Sequence, residues 1–262
     1  MDWNGVVEHN KEALKRILAR LFGMAGMAAG VGGVLSPGGG EGLLRRARHS
    51  AVLRLLRPAE SAVRRLVVVA ARGMVVKVPP PRPPKPKPMA PVLRSLGIAV
   101  VLSPADIARA AAAARAAAAR AARPRPASLP LLDPLKRFGP RRRYVPAHAA
   151  PRIWTLGMER RPLPPPPSPD DLIDAGRLGR RLQALASALD DLPAQARRFA
   201  RWKARRDRDC GDPARRNSRG RISPLRPGRA PGNLRKPTHE VHEVLKELHY
   251  FAFEAFHYPD TS

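Results

Sequence analysis

The chain has 262 residues, with 49 Lys and Arg against 21 Asp and Glu, and a net charge of +28. Leu, Ile, Val and Phe number 29, 6, 18 and 6, just above the share at which a strongly charged chain is expected to stay disordered. So few bulky apolar groups do not offset the entropy of ordering one 262-residue core, which argues against a compact enzyme of ordinary type. The lone cysteine, Cys210, excludes an intrachain disulfide and a multi-thiolate zinc site. Its neighbours Asp207, Asp209 and Asp212 oppose a reactive thiolate.

Val6, Val7, Ala13, Leu14, Ile17, Leu18, Leu21 and Phe22 recur at helical spacing and predict a helix over about residues 5–30. Residues 21–35 carry no charge, but five of the fifteen are glycine, and a span needs about 20 apolar residues. Lys11, Lys15, Arg16 and Arg20 precede the run and Arg45, Arg46 and Arg48 follow it. Positive charge on both sides suits a segment that dips into one leaflet better than one that crosses. A helix packed in a soluble core is the competing reading, and Gly26 with Gly30 forms a close-packing GxxxG pair. No cleavable signal peptide is expected, because charges extend through the first twenty positions.

Residues 43–77 place Leu53, Leu56, Val63, Leu66, Val67, Ala70 and Met74 at three- and four-residue steps. That predicts an amphipathic helix, interrupted near Pro58 and ended by Gly73. Val67, Val68 and Val69 in succession fit instead a hairpin with strands at 66–69 and 74–78, so helix against strand stays open for 63–78. Arg45, Arg46, Arg48, Arg54 and Arg57 beside large apolar residues make the pattern of a helix on an anionic lipid surface.

VPPPRPPKPKPMAP (78–91) is a polyproline II spacer or an SH3-type ligand. SPAD (103–106) opens an Ala-rich helix with a Ser N-cap, Pro at the first helical position and Asp106 reaching back. Arg109, Arg115 and Arg120 keep that helix solvated. Residues 124–167 are basic and turn-rich, with isolated Phe138, Tyr144 and Trp154.

SPDD (168–171) repeats the capping pattern, and Ala175, Leu178, Leu182, Leu185, Leu189, Leu192, Ala196 and Phe199 then follow at alternating steps of three and four. This is an a/d seam seeking a helix partner, in this chain or a second copy, broken at Pro193 with Asp190 or Asp191 capping the second piece. The second piece interleaves Arg197, Arg198, Arg201, Lys203, Arg205 and Arg206 with Phe199 and Trp202, so that bases or lipid headgroups fit it as partners. The Arg-rich arm at 209–237 reads as disorder able to bind RNA. The C-terminal piece, 238–258, is acidic and amphipathic through Val241, Val244, Leu245, Leu248, Ala252, Ala255 and Phe256, with Thr238 as N-cap. It is expected to dock on 172–204 or 43–72. His239 and His242 are the nearest approach to a metal pair, but the spacing is HExH, not HExxH, so no metal or cofactor is expected.

RPAESAVRRLVVVAARGMVVK, DPLKRFGPRRR, ALDDLPAQARRFARW and RKPTHEVHEVL together resemble hypothetical proteins of GC-rich alphaproteobacteria. Those proteins have no established activity, so the resemblance implies no function. The fold expected is mainly α, a small helical assembly with long Pro-rich and Arg-rich disordered segments. Its pieces are N-terminal helices (1–77), a linker with a short apolar segment (78–102), an Ala-rich helix (103–123), an irregular segment (124–167), a helical hairpin (168–208), the arm (209–237) and the C-terminal helix (238–258).

The function expected is non-enzymatic association with an anionic membrane surface through 17–57. The alternative is binding of RNA or DNA through 197–208 and 215–236, and an enzyme with an unrecognised site comes third. No P-loop, GxGxxG, GxSxG or paired-carboxylate motif is present. Cytoplasm, or the cytoplasmic face of the inner membrane, is the expected location, since a lone thiol fits a reducing compartment.

Overall fold

Apolar side chains recurring at helical spacing have to meet one another, and five helices of this chain turn theirs onto a shared interior. The computed structural model describes residues 2–27, 42–80, 96–97, 103–122, 127–134, 166–211, 223–226, 228–232 and 237–257. Among these lie six helices and one two-stranded antiparallel ladder, a mainly α fold as expected. Contacts divide the chain into two units, Met1–Lys77 with Ala127–Ser262, and Val78–Pro126. The N-terminal helices, the hairpin and the C-terminal helix are thus parts of one body.

Helix α1 (Trp3–Ala25) starts where the Asp2 carboxylate accepts the N–H groups of Asn4 and Gly5. It ends short of the expected residue 30. Gly26 takes a left-handed conformation (φ 66°), and the Met27 N–H returns to the Phe22 carbonyl. Leu14, Ile17 and Leu18 are buried in the core, and so are Leu21 and Phe22, the first residues of the run expected to dip into a leaflet. Strand β1 (Leu43–Arg45) leads directly into α2 (Arg46–Ala70).

Helix α2 is central, packing against α1 and the C-terminal helix, and residues 58–69 are buried at every position. A helix surrounded on all sides needs no polar face. That explains Val67, Val68 and Val69, which lie in the helix and not in a strand. It also runs unbroken through Pro58, against expectation, because packing around the buried ring outweighs the missing backbone hydrogen bond. The helix stops at Ala70, and Gly73 (φ 71°) belongs to the turn that follows.

SPDD does not open a helix. Ser168 and Asp171 close a turn, and β2 (Leu172–Asp174) pairs with β1 in the register Leu43↔Asp174, Leu44↔Ile173, Arg45↔Leu172. Helix α4 (Gly176–Asp190) follows, and α5 (Leu192–Gly211) restarts with the Asp191 carboxylate accepting the Ala194 N–H. Helix α6 (Glu240–His257) packs on α2. Its first turn is capped by His239, whose Nδ1 accepts the Val241 N–H, and not by Thr238. In the other unit, α3 (Pro104–Ala122) begins as its sequence indicates: Ser103 Oγ accepts the Asp106 N–H and donates to its carboxylate.

Two stretches expected to be irregular or disordered are packed. Leu129, in residues 127–134, and Leu225 and Ala230, in residues 223–226 and 228–232, are 2–3% exposed. Residues 127–134 hold three leucines, of which Leu129 is the one fully buried, while Leu225 anchors the second stretch among Arg and Pro. The apolar run at 28–35 with Gly30, the Pro-rich tracts at 81–91 and 161–165, residues 135–160, and the arm at 212–222 lie outside the described residues. No described helix is long and apolar enough to cross a membrane.

Gly232 has φ 84°, and a Cβ there would sit 2.7 Å from the Pro58 backbone nitrogen, whereas Gly228 (φ 78°) faces open space. Gly232→Ala should therefore destabilise the protein by more than about 1 kcal/mol, and by more than Gly228→Ala, in denaturant titrations of the full chain.

Candidate anion-binding groove

The second half of α2 carries Glu60, Ser61, Arg64 and Arg65 close together, all of them buried. Arg65 is fully buried, and such a guanidinium is tolerated only if its N–H groups all find acceptors. Its Nε donates to His249 Nδ1 (2.9 Å), its Nη1 to the Ser61 carbonyl (2.9 Å) and hydroxyl (2.7 Å), and its Nη2 to Asp133 Oδ2 (2.8 Å). Asp133 also accepts from Arg64 Nη1 (3.1 Å) and from the Arg226 backbone N–H (3.1 Å), while its own N–H donates to the Pro224 carbonyl (3.0 Å). Arg64 Nε donates to the Pro130 carbonyl (3.0 Å). On the far side, Arg181 of α4 grips Glu60 with two hydrogen bonds of 2.7 and 2.9 Å, and these raise its pKa.

His249 Nε2 lies 2.9 Å from the Gly228 carbonyl. Arg65 can only donate, so Nδ1 must present a lone pair, and the ring is neutral with its proton on Nε2. Burial, and after it the charge of Arg65, hold the His249 pKa below the usual imidazole value; the Gly228 carbonyl and Asp133 act the other way. Through these bonds α2, α4, α6 and both irregular segments share one buried network.

The network fixes one wall of a groove. Pro130, Leu131 and Leu132 form that wall, and Arg198, Arg201, Trp202 and Arg205 of α5 form the other, around a volume of about 510 Å³. Arg198 ties the walls together, donating to Ser128 Oγ and the Leu129 carbonyl, both at 3.0 Å. Trp202 is half-buried, its ring centroid 5.6 Å from that of Phe199. Arg201 and Arg205 are exposed, and neither has an ion-pair or hydrogen-bond partner among the described residues.

Of the other predicted anion-binding residues, Lys203 and Arg206 lie over the Phe256 ring (5.5 and 5.1 Å), and Arg206 also stacks on Trp202 (5.4 Å) and pairs with Asp207. Arg197 is exposed and bonds the Pro193 carbonyl of its own helix. Arg45 and Arg46 pair with Asp170 and Asp171 at the ladder (3.6 and 3.4 Å). Arg48, Arg54 and Arg57 are exposed along α2, and none of them lines the groove. The seam residues Leu178, Leu182, Leu185, Leu189, Leu192 and Phe199 are all buried within this chain, the α4 part against α1 and α2, so the partner they seek is internal. His242 is buried, and burial, then His239 and Arg229, lower its pKa. Among the described residues no three His, Cys, Asp or Glu side chains converge to hold a metal.

Sequence reasoning missed Glu60, Arg64, Arg65, Asp133 and His249. One signal was available: RR between the apolar runs of ESAVRRLVVV puts two cations where a helix has no polar face to offer them. Comparison with protein-family models, curated proteins and solved structures returns no match.

Replacing Asp133 by Asn should cost about 3–5 kcal/mol in denaturant unfolding, since it leaves the buried Arg65 guanidinium without a carboxylate and Arg64 with Glu60 alone. Acid should act on the same network. With the His249 and His242 pKa values lowered, the unfolded chain binds more protons than the folded one below about pH 6.5. Stability should be full above that pH and fall as the pH drops through the lowered folded values. His249→Gln, which keeps an acceptor and a donor, should flatten this acid-side loss when unfolding is compared between neutral and mildly acidic buffer.

Proposed function

We propose that this protein is a non-enzymatic binder of nucleic acid, with α5 and its groove as the contact surface. The observation that carries the reading is Arg201 and Arg205, two exposed cations that have no partner among the described residues and flank an indole in one concave site. On a chain of net charge +28, most other described cations near the core already have a carboxylate, a carbonyl or a ring to satisfy them. A phosphate-bearing polymer supplies the complementary charge, and counterion release drives its binding. The apolar residues of 17–57 that a lipid-surface helix would need, among them Ile17, Leu21, Phe22, Val52 and Leu56, are occupied in the core.

Titration of the full chain with labelled oligonucleotides at a series of salt concentrations tests this. Affinity should fall steeply with salt. The double variant Arg201→Ala/Arg205→Ala should reduce the log–log slope by about 1.4–1.8, because each phosphate neutralised by a side chain adds roughly 0.7–0.9 to it.

A second reading, association with an anionic membrane surface, is favoured by the ladder. Leu43 and Leu172, 44% and 63% exposed, project from the same face as Arg45. Flotation with vesicles of phosphatidylglycerol should then recover the protein, and Leu43→Ser/Leu172→Ser should abolish recovery. Absence of flotation leaves nucleic acid as the partner class.

A further inference from the structure

We infer that the groove between α5 and residues 130–132 seats an unpaired nucleobase, making single-stranded nucleic acid the ligand class. The inference rests on the nucleic-acid reading above and narrows it. A surface that reads phosphates alone needs only exposed cations, and a convex helix face would do. Here the two cations without a partner among the described residues stand on either side of Trp202 along one helix, in the order Arg201, Trp202, Arg205. The opposing wall is an apolar tripeptide, Pro130, Leu131 and Leu132.

Cations four residues apart on a helix have Cβ atoms about 6 Å apart, a distance that successive phosphates of an extended strand bridge. A base between those phosphates meets the indole on one side and the Pro-Leu-Leu wall on the other. The volume of about 510 Å³ admits a base with its sugar. A duplex keeps its bases stacked inside and offers this concavity nothing apolar, whereas every unpaired base has a π-face to stack.

The site is also ordered before a ligand arrives. Trp202 is braced by Phe199 (5.6 Å) and by the Arg206 guanidinium (5.4 Å). The facing wall is held by Arg64 at the Pro130 carbonyl, by Arg198 at the Leu129 carbonyl, and by Asp133 immediately beyond Leu132. Trp202 and the facing wall therefore lose little freedom on binding, and the ordering cost falls on Arg201 and Arg205.

The test uses the full chain at low salt with four probes: a labelled oligothymidine, a duplex of equal length, inorganic polyphosphate, and phosphatidylglycerol vesicles. The single strand should bind at least ten-fold more tightly than duplex or polyphosphate. Trp202→Ala should weaken single-strand binding about ten- to hundred-fold, the range expected for removing one base stack, with Trp202→Phe retaining most of the affinity. Should Trp202→Ala fail to fold, the wild-type protein decides: a 2-aminopurine placed in the strand should be quenched on binding.

Equal affinity for single strand, duplex and polyphosphate, with no quenching, overturns the base seat while leaving the nucleic-acid reading standing. Binding to none of the three, or to vesicles alone, overturns both.

Discussion

A guanidinium with no access to water organises this molecule. Arg65 lies in the stretch of α2, residues 58–69, that is buried at every position, and its charge must be matched where water does not reach. Asp133, His249 and Ser61 supply the match, and each comes with a piece of chain attached. Asp133 brings residues 127–134, His249 ties α6 to α2 and to the Gly228 carbonyl, and Arg226 with Pro224 closes the loop back onto Asp133. Residues 127–134 and the stretch around Leu225 are thereby held by directed, charge-assisted hydrogen bonds as well as by their buried leucines. The thin apolar content of the sequence does not limit the ordered core as far as area alone implies, because polar geometry recruits what apolar area cannot.

The same arrangement divides the basic residues of α5 into two kinds. Arg198, Lys203 and Arg206 are structural: they clamp a carbonyl or cover an aromatic ring. Arg201 and Arg205 face the groove with nothing among the described residues to neutralise them. In the sequence all five belong to one basic run, and charge density alone does not separate them. Position around the helix does, since Ala196, Phe199 and Ala200 point inward and fix which residues face out.

Local chemistry was legible wherever it was self-contained. The Ser103 cap, the a/d seam, the break before Pro193 and the inward face of the C-terminal helix all rest on spacing within a few residues, and all are present. Expectations failed where a distant partner decided the outcome. Pro58 sits inside an intact helix because neighbours enclose it, and Gly232 packs on its nitrogen. Residues 172–174 form a strand because β1 is there to receive their hydrogen bonds. The Val67–Val68–Val69 run reads as a strand only until the helix carrying it is known to be central.

The order of residues was enough to establish a basic, mainly helical protein, the stripes that would turn inward, and the stretch of α5 on which cations and an indole alternate. It could not name Asp133 as the partner of Arg65, because nothing local distinguishes that carboxylate from the other acidic groups of the chain. Pairing across 68 residues is a property of the folded backbone. Nor could it show that residues 130–132 stand opposite Trp202, which makes a concave site out of a basic helix. Periodicity is written residue by residue, whereas buried charge pairing depends on which surfaces the whole chain brings together.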